Sequence, residues 1–168
     1  MNTSSASALE AALAARLPRA LDFLQRLVAV NSFTTNAAGI DRNAQIIIEQ
    51  FAPLGWTARQ VPCTAPETGH HLVLDAGGDG PVVALISHLD TVYPPEEEIR
   101  NDFKWQVEGE RIYGPGTVDI KGGTALLWLM FDALAEADPA LFASTRWVLG
   151  WNAAEERLNP NFFDVSGR

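Results

Sequence analysis

The sequence predicts an α/β fold in which helices cover both faces of a mainly parallel or mixed sheet. Segments with apolar residues at helical spacing alternate with short apolar runs, which is the pattern of a layered α/β domain. Two of these runs, 81–87 and 146–151, are apolar at almost every position. Runs of this kind are typical of interior strands that are buried on both faces. The length of 168 residues suits one domain with its own core.

The first two helices are predicted from the spacing of their apolar residues. In the first helix, apolar residues recur every three or four positions: Leu13, Leu17, Leu21, Leu24 and Val28. Pro18 falls inside this stripe and is expected to kink the helix or to restart it. The second stripe runs over 44–54 and ends at Gly55, where a C-terminal cap belongs.

The four strands of the predicted sheet are separated by turns and helices. They are expected at 56–61, 71–76, 81–87 and 146–151. A glycine-rich turn at 77–80 joins the second strand to the third.

A small hairpin and a long helix fill the stretch between the last two of these strands. Residues 103–107 and 111–113 form the predicted hairpin, with Gly109 at its turn. Residues 121–137 are predicted to be helical, and the Asp-Pro pair at 138–139 closes the helix.

The composition excludes several classes of protein. A net charge of −9 repels phosphate backbones, so nucleic acid is not an expected partner. The densest apolar run, 125–131, is far shorter than the ~20 residues that span a bilayer. Residues 1–17 have no sustained apolar core, and no secretory signal is predicted. Cys63 is the single cysteine, which rules out an intrachain disulfide and favours a reducing, cytoplasmic location.

The segment Ser87-His88-Leu89-Asp90-Thr91 places an imidazole at the end of a buried run. His88 is a candidate metal ligand, and Asp90 is placed to accept the second ring N–H and fix the tautomer. The alternative is a histidine that ends a strand, followed by a turn capped by Asp90.

The segment 114–123 surrounds one carboxylate, Asp119, with glycines. It is not a phosphate-binding loop, because Asp119 stands where a dinucleotide loop needs its third glycine. An acidic side chain among glycines suits a cation. The alternative is a strand–turn–helix connection in which Asp119 caps the helix.

Glu155 and Glu156 form a carboxylate pair directly after the last predicted strand. Adjacent side chains on an extended segment point in different directions, so the two can have different functions. The alternative is a pair of solvated carboxylates at the start of a loop. The other candidates are weaker, and His70 and His71 are expected to be exposed because their flank is rich in turn residues.

In their residues and in their order, these three segments resemble the motifs of the co-catalytic zinc hydrolases grouped around aminoacylase, acetylornithine deacetylase, succinyl-diaminopimelate desuccinylase and bacterial glutamate carboxypeptidase. The resemblance implies a zinc exopeptidase-like fold and a site for two Zn²⁺ ions bridged by Asp119. It further implies that His88 and Glu156 each bind one ion and that Glu155 is the general acid/base. The chain differs from the usual motifs of this family at Ser87 and Ala154, and neither difference removes a ligand.

The resemblance also implies what the chain binds and what it lacks. The expected substrate is a small molecule or peptide with a free carboxylate next to the cleaved amide bond. Each zinc ion has two ligands here and lacks a third, so weak or partial occupancy is expected. Residues 1–168 are expected to be the N-terminal part of a catalytic domain, without the lid and dimerisation domain or the C-terminal part.

Two hypotheses therefore remain open. One is a zinc hydrolase whose isolated chain is incomplete. The other is a non-catalytic remnant that acts through self-association, because an incomplete domain would expose a sheet edge and form homo-oligomers.

Overall fold

The computed structural model describes residues 3–157 and 161–166. Its helices are α1 Thr3–Val28, α2 Ala37–Phe51, α3 Pro95–Arg100, α4 Lys121–Ala137, α5 Pro139–Ser144 and α6 Asn161–Ser166. Its strands are β1 Thr57–Pro62, β2 His70–Gly77, β3 Val82–His88, β4 Gln106–Glu108, β5 Arg111–Tyr113 and β6 Arg146–Asn152. A single 3₁₀ turn, Ala52–Leu54, follows α2.

The main sheet is mixed, with the strand order β1-β2-β6-β3. Strand β3 runs parallel to β6, whereas the β1–β2 and β2–β6 pairs are antiparallel. The predicted α/β class with a mixed sheet is confirmed. Strands β4 and β5 form the predicted hairpin apart from this sheet.

One face of the main sheet packs against α1, α2 and α4, and the core lies there. Leu72 and Leu74 of β2 face this core with Leu149 and Trp151 of β6, whereas Val73 and Gly150 face the other side of the sheet. The centre of this core is aromatic, and its rings meet edge to face: Phe51, Trp56, Phe131 and Trp151. Burying an aromatic or aliphatic side chain of this size contributes about 1.5–3 kcal/mol, so this face dominates the stability of the domain.

The opposite face of the sheet is mostly uncovered among the described residues. Phe162 and Val165 of α6 lie over part of it, beside Gly150. Strand β3 forms the sheet edge, and Val82 and Ile86 are 60% and 56% exposed. The prediction that 81–87 is an interior strand covered on both faces is therefore wrong for the described residues. The same prediction for the last strand fits better, because β6 is central and its second half is buried.

The helix boundaries agree with the sequence where the apolar repeat is long. Helix α4 spans the predicted 121–137. Helix α1 continues through Pro18 without restarting. Helices α3, α5 and α6 were not predicted, because six residues are too few to show a helical repeat. Among the described residues, no helix is long and apolar enough to cross a membrane.

Candidate metal and catalytic site

The pairing of two parallel strands brings the predicted site residues together. His88 ends β3, and Asn152, its partner in the register, ends β6. The Leu89 N–H donates to the Asn152 carbonyl at 2.8 Å, which holds the two chain exits side by side. Because the carboxyl ends of parallel strands lie at the same end of the sheet, His88 and the segment 153–156 meet at the position where α/β folds bind ligands.

His88 lies in the middle of the site and is only 8% exposed. Its Nδ1 lies 3.0 Å from the backbone carbonyl oxygen of Asp90. Since a carbonyl only accepts, Nδ1 carries a proton that it donates there. Its Nε2 lies 2.9 Å from Oδ1 of Asp119, so Nε2 is the ring nitrogen directed at the carboxylates.

Asp119 reaches His88 from the loop between β5 and α4. This loop turns at Gly116, whose φ of 75° favours glycine, and a Cβ there would lie 2.8 Å from the Thr91 side chain.

Lys121 anchors the loop at the start of α4, because its Nζ donates to the Val30 carbonyl at 2.9 Å. Burial lowers the pKa of Lys121 to about 8, and the charge of Glu98 opposes this shift. The peptide bond between Asp119 and Ile120 is cis.

Glu155 and Glu156 complete the cluster. One ligand atom from each of His88, Glu155 and Glu156 lies within 4.8 Å of the others. The Glu155 side chain is 55% exposed and lies 4.0 Å from His88 Nε2, so a molecule arriving from solvent can reach it. Glu156 is half-buried.

Asp90 contacts both the imidazole and the glutamate pair. Its carboxylate lies 3.4 Å from His88 Nδ1, while its backbone carbonyl accepts the Nδ1 proton. The carboxylate accepts the backbone N–H groups of Glu155 at 3.0 Å and Glu156 at 3.2 Å. Its Oδ2 also accepts the Thr34 hydroxyl at 2.7 Å. Asp90 therefore orients the imidazole through its backbone carbonyl and its nearby carboxylate, and the carboxylate also holds the glutamate pair.

The electrostatics of the cluster favour a cation. Burial lowers the pKa of His88, but hydrogen bonds with Asp90 and Asp119 outweigh burial and raise this pKa to about 9. Burial raises the pKa of Glu156, and the neighbouring carboxylates of Asp119, Asp90 and Glu155 raise it further against the charge of His88. Burial also raises the pKa of Asp90, but its hydrogen bonds with His88, Thr34 and the Glu155 N–H lower it overall.

Besides burial, these shifts reflect the charges of the cluster. The carboxylates gathered at the ends of the strands attract a positive charge. In the metal-free protein, a proton on His88 provides this charge. An imidazole nitrogen and carboxylate oxygens are the donor set that Zn²⁺ accepts, so the residues present fit a divalent metal.

His70 and His71 differ from each other, and the expectation that both are exposed is wrong for His71. His70 is partly exposed and pairs with Asp41, at 3.0 Å between Nδ1 and Oδ2. His71 is fully buried and accepts a backbone N–H from Ala153, next to the glutamate pair. The turn residues before β2 suggested exposure, whereas the run of apolar residues directly after His71, Leu72 to Leu74, could have indicated its burial.

The part of the chain that carries the site matches a known protein family. Residues 84–159 match the family described as Peptidase family M20/M25/M40. This stretch contains His88, Asp119, Glu155 and Glu156. This match and the relatives below confirm the resemblance read from the three segments.

Curated relatives support the same assignment. The chain is 32% identical over 111 residues to carboxypeptidase G2 from Pseudomonas sp. (strain RS-16), covering 66% of this chain and 26% of the relative. It is 33% identical over 137 residues to succinyl-diaminopimelate desuccinylase from Methylobacterium sp. (strain 4-46), covering 79% and 34%. It is 22% identical over 139 residues to acetylornithine deacetylase from Erwinia tasmaniensis, covering 80% and 36%. The chain thus spans about a quarter to a third of the length of these relatives.

Solved structures share the fold at low sequence identity. The di-peptidase Dug1p from Saccharomyces cerevisiae matches with a TM-score of 0.76 at 15% identity, over 92% of this chain and 36% of that one. Human carnosine dipeptidase 1 matches with a TM-score of 0.75 at 15% identity, over 89% and 35%. At these identities the likeness concerns the fold.

Proposed function

We propose that this chain carries part of the active site of a zinc-dependent hydrolase that cleaves an amide bond next to a carboxylate. The observation that supports the proposal most strongly is the convergence of His88, Asp119, Glu155 and Glu156 at the ends of two parallel strands. A structural histidine at a strand end would not need three carboxylates from two separate segments around it.

The donors divide between two ions in the proposed site. Asp119 would bridge the ions, His88 Nε2 would bind one and Glu156 the other. When bound, such ions polarise a carbonyl oxygen and lower the pKa of water to roughly 7. The Nδ1 donation to the Asp90 carbonyl keeps Nε2 directed at the ligand position, which is the usual arrangement for a metal-binding histidine.

Glu155 is the proposed general acid/base. Its side chain is the most accessible of the His88, Glu155 and Glu156 group and lies beside His88. From there the carboxylate takes a proton from the attacking water and delivers it to the leaving nitrogen. Asp90 keeps Glu155 in place by accepting its backbone N–H.

The names of the relatives support the substrate class. Carboxypeptidase, desuccinylase and deacetylase denote removal of a C-terminal residue, a succinyl group and an acetyl group. We infer that the substrate here is a peptide or an N-acyl amino acid with a free carboxylate. The proposal includes a cytoplasmic location, for which the single cysteine is the support.

The number of ligands limits what the chain does alone. His88 and Asp119 would serve one ion, and Glu156 and Asp119 the other, whereas zinc sites use three or four protein ligands. We therefore propose that the chain alone binds zinc weakly and that ligands outside the described residues complete the site. In this proposal, residues 1–168 correspond to the N-terminal part of a larger catalytic domain.

A second function is favoured by the uncovered sheet edge. Strand β3 has no partner on its outer side among the described residues, and Val82 and Ile86 are exposed on it. Unpaired edges with apolar side chains promote association with another chain. A chain without hydrolytic activity would then act as a homo-oligomer through this edge.

An assay with excess Zn²⁺ on N-acetyl amino acids and C-terminal glutamyl peptides separates the two functions. Any turnover is expected to disappear in Glu155→Gln and to remain in Glu108→Gln, a matched control on exposed β4. Turnover that is unaffected by Glu155→Gln contradicts the proposed role of Glu155. Turnover lost in Glu155→Gln alone contradicts the purely associative function.

A further inference from the structure

We propose that His71 is a positioning residue that holds the start of the Glu155–Glu156 segment in place as a neutral hydrogen-bond acceptor. This inference rests on the proposed function, because that function gives the glutamate pair its role. His71 lies on β2, outside the three segments that identify the family, and it does not touch the cluster itself.

The contacts of His71 are those of a fixed tautomer. The backbone N–H of Ala153 donates to Nδ1 at 3.0 Å, so Nδ1 carries a lone pair and no proton. The ring proton therefore lies on Nε2, which is 2.9 Å from Oδ1 of Asn161. The Thr64 N–H donates to the same oxygen at 3.2 Å, which confirms that the Asn161 oxygen faces the imidazole.

His71 is one of several side chains that together hold the glutamate segment. The four successive backbone N–H groups of residues 153–156 each have a side-chain acceptor. Ala153 donates to His71, Ala154 to the Asn152 side chain, and both glutamates to Asp90. The acceptors on either side come from β2 and from the residues just after β3, so the segment is fixed from both neighbouring strands.

This arrangement suits a segment that must present two carboxylates in fixed directions. A chain leaving a strand has no ladder partners for its amides, and buried amides without a partner are costly. Ala153 and Ala154 are fully buried, so water does not replace their acceptors. Loss of the His71 acceptor would allow the segment to shift and would move Glu155 and Glu156 away from His88.

Two substitutions separate the acceptor from the donor of the imidazole. His71→Asn keeps an oxygen at the position of Nδ1 and loses the contact with Asn161. His71→Gln keeps a donor at the position of Nε2 and loses the acceptor for Ala153. The control Asn161→Ala removes the partner of Nε2 and leaves the Ala153 contact intact.

The first measurement is the Zn²⁺ dissociation constant of each folded variant. We expect about a tenfold or greater increase for His71→Gln, as for other residues that support metal ligands. We expect values close to the wild type for His71→Asn and Asn161→Ala. Equal losses in His71→Asn and His71→Gln, or no loss in either, would overturn the proposal, because a role in general stability would not distinguish the two atoms.

The second measurement is independent of metal binding. In ¹⁵N NMR spectra of the metal-free protein, Nδ1 of His71 is expected to be unprotonated and hydrogen-bonded. The amide signals of residues 153–156 are expected to shift in His71→Gln and to change little in His71→Asn. A protonated Nδ1, or unchanged amide signals in His71→Gln, would overturn the proposal. If the wild type binds no Zn²⁺, the proposed function fails, and the NMR result alone decides the role of His71.

Discussion

The carboxylate of Asp90 accepts the backbone N–H of Glu155 at 3.0 Å across 65 residues of sequence. The same carboxylate accepts the Glu156 N–H, and the backbone of Asp90 accepts the proton of His88 Nδ1. One buried residue therefore positions both the imidazole and the glutamate pair. Because Asp90 lies two residues after His88, it contacts both the end of β3 and the segment that follows β6.

Replacing the Asp90 carboxylate with an amide is expected to disturb both segments. In Asp90→Asn, an NH₂ group replaces one of the two acceptor oxygens and faces a backbone N–H, leaving a buried donor unpaired. Such a change costs about 1–3 kcal/mol in the free energy of unfolding. Urea denaturation measures this cost, with the exposed Asp79→Asn as the control. Equal stability of Asp90→Asn and the wild type would contradict the role of this carboxylate.

The loop that carries Asp119 is expected to depend on Gly116. Both Gly116 and Gly55 have positive φ, 75° and 79°. A Cβ at Gly116 would meet Thr91 at 2.8 Å, whereas a Cβ at Gly55 would have no atom within 4 Å. Gly55→Ala is thus expected to show backbone strain alone, about 1–2 kcal/mol.

Gly116→Ala is expected to cost at least about 1 kcal/mol more, because the buried Thr91 must move. It is also expected to weaken Zn²⁺ binding through displacement of Asp119. Thermal or urea denaturation of both variants tests the difference. Equal costs at Gly116 and Gly55 would show that the added Cβ fits without displacing Thr91, and would contradict this prediction.

The burial of His71 is expected to make the stability depend on pH. Burial lowers its pKa below 6.5; the Asn161 hydrogen bond and the charge of Asp90 oppose this, while His70 adds to it. The unfolded chain then binds a proton near pH 6.5 and the folded chain only at lower pH. The resulting stability is present above pH 6.5 and is lost as the pH falls through the folded-state pKa.

The pKa of His88 is shifted in the opposite direction, so His88 does not produce the loss of stability below pH 6.5. Its pKa is raised to about 9, so its stabilisation is constant below pH 6.5 and is lost as the pH rises through about 9. The free energies of unfolding of the wild type and His71→Asn are to be compared at about pH 7 and about pH 5. We expect a steeper acid loss in the wild type. Identical slopes would contradict a depressed pKa at His71.

The exposed edge of the sheet is expected to mediate self-association. Ile86→Lys places a charge on β3 and is expected to shift the protein toward the monomer. Val107→Lys, an exposed apolar position on the β4–β5 hairpin, is the control. Multi-angle light scattering measures the mass of each. A wild type that stays monomeric at high concentration would contradict the association.

Much of the fold could be predicted from the sequence because its signals are local. Helix α4 has a long apolar repeat, and the ends of β3 and β6 are marked by the change from apolar to polar residues. The edge position of β3 could not be predicted in this way. An apolar run shows that a strand avoids water, and it does not show which strands or helices lie beside it.

The site could be predicted only in part for a related reason. His88, Asp119 and the glutamate pair stand in recognisable segments. The parallel pairing of β3 and β6 brings His88 to the glutamate pair, and the loop before α4 adds Asp119. The contacts of Asp90 and His71 with the 153–156 segment are made to backbone amides, which are the same in every residue type. No residue pattern marks such a contact, so three-dimensional packing is needed to see it.

The central claim is that His88, Asp119 and Glu156 form part of a zinc site, and calorimetric titration with Zn²⁺ tests it most directly. The wild-type chain is expected to bind weakly, and Asp119→Ala is expected to lose this binding because Asp119 would serve both ions in the proposed site. Asp102→Ala, an exposed carboxylate after α3, is the control and is expected to bind as the wild type does. Binding that persists unchanged in Asp119→Ala would contradict the account.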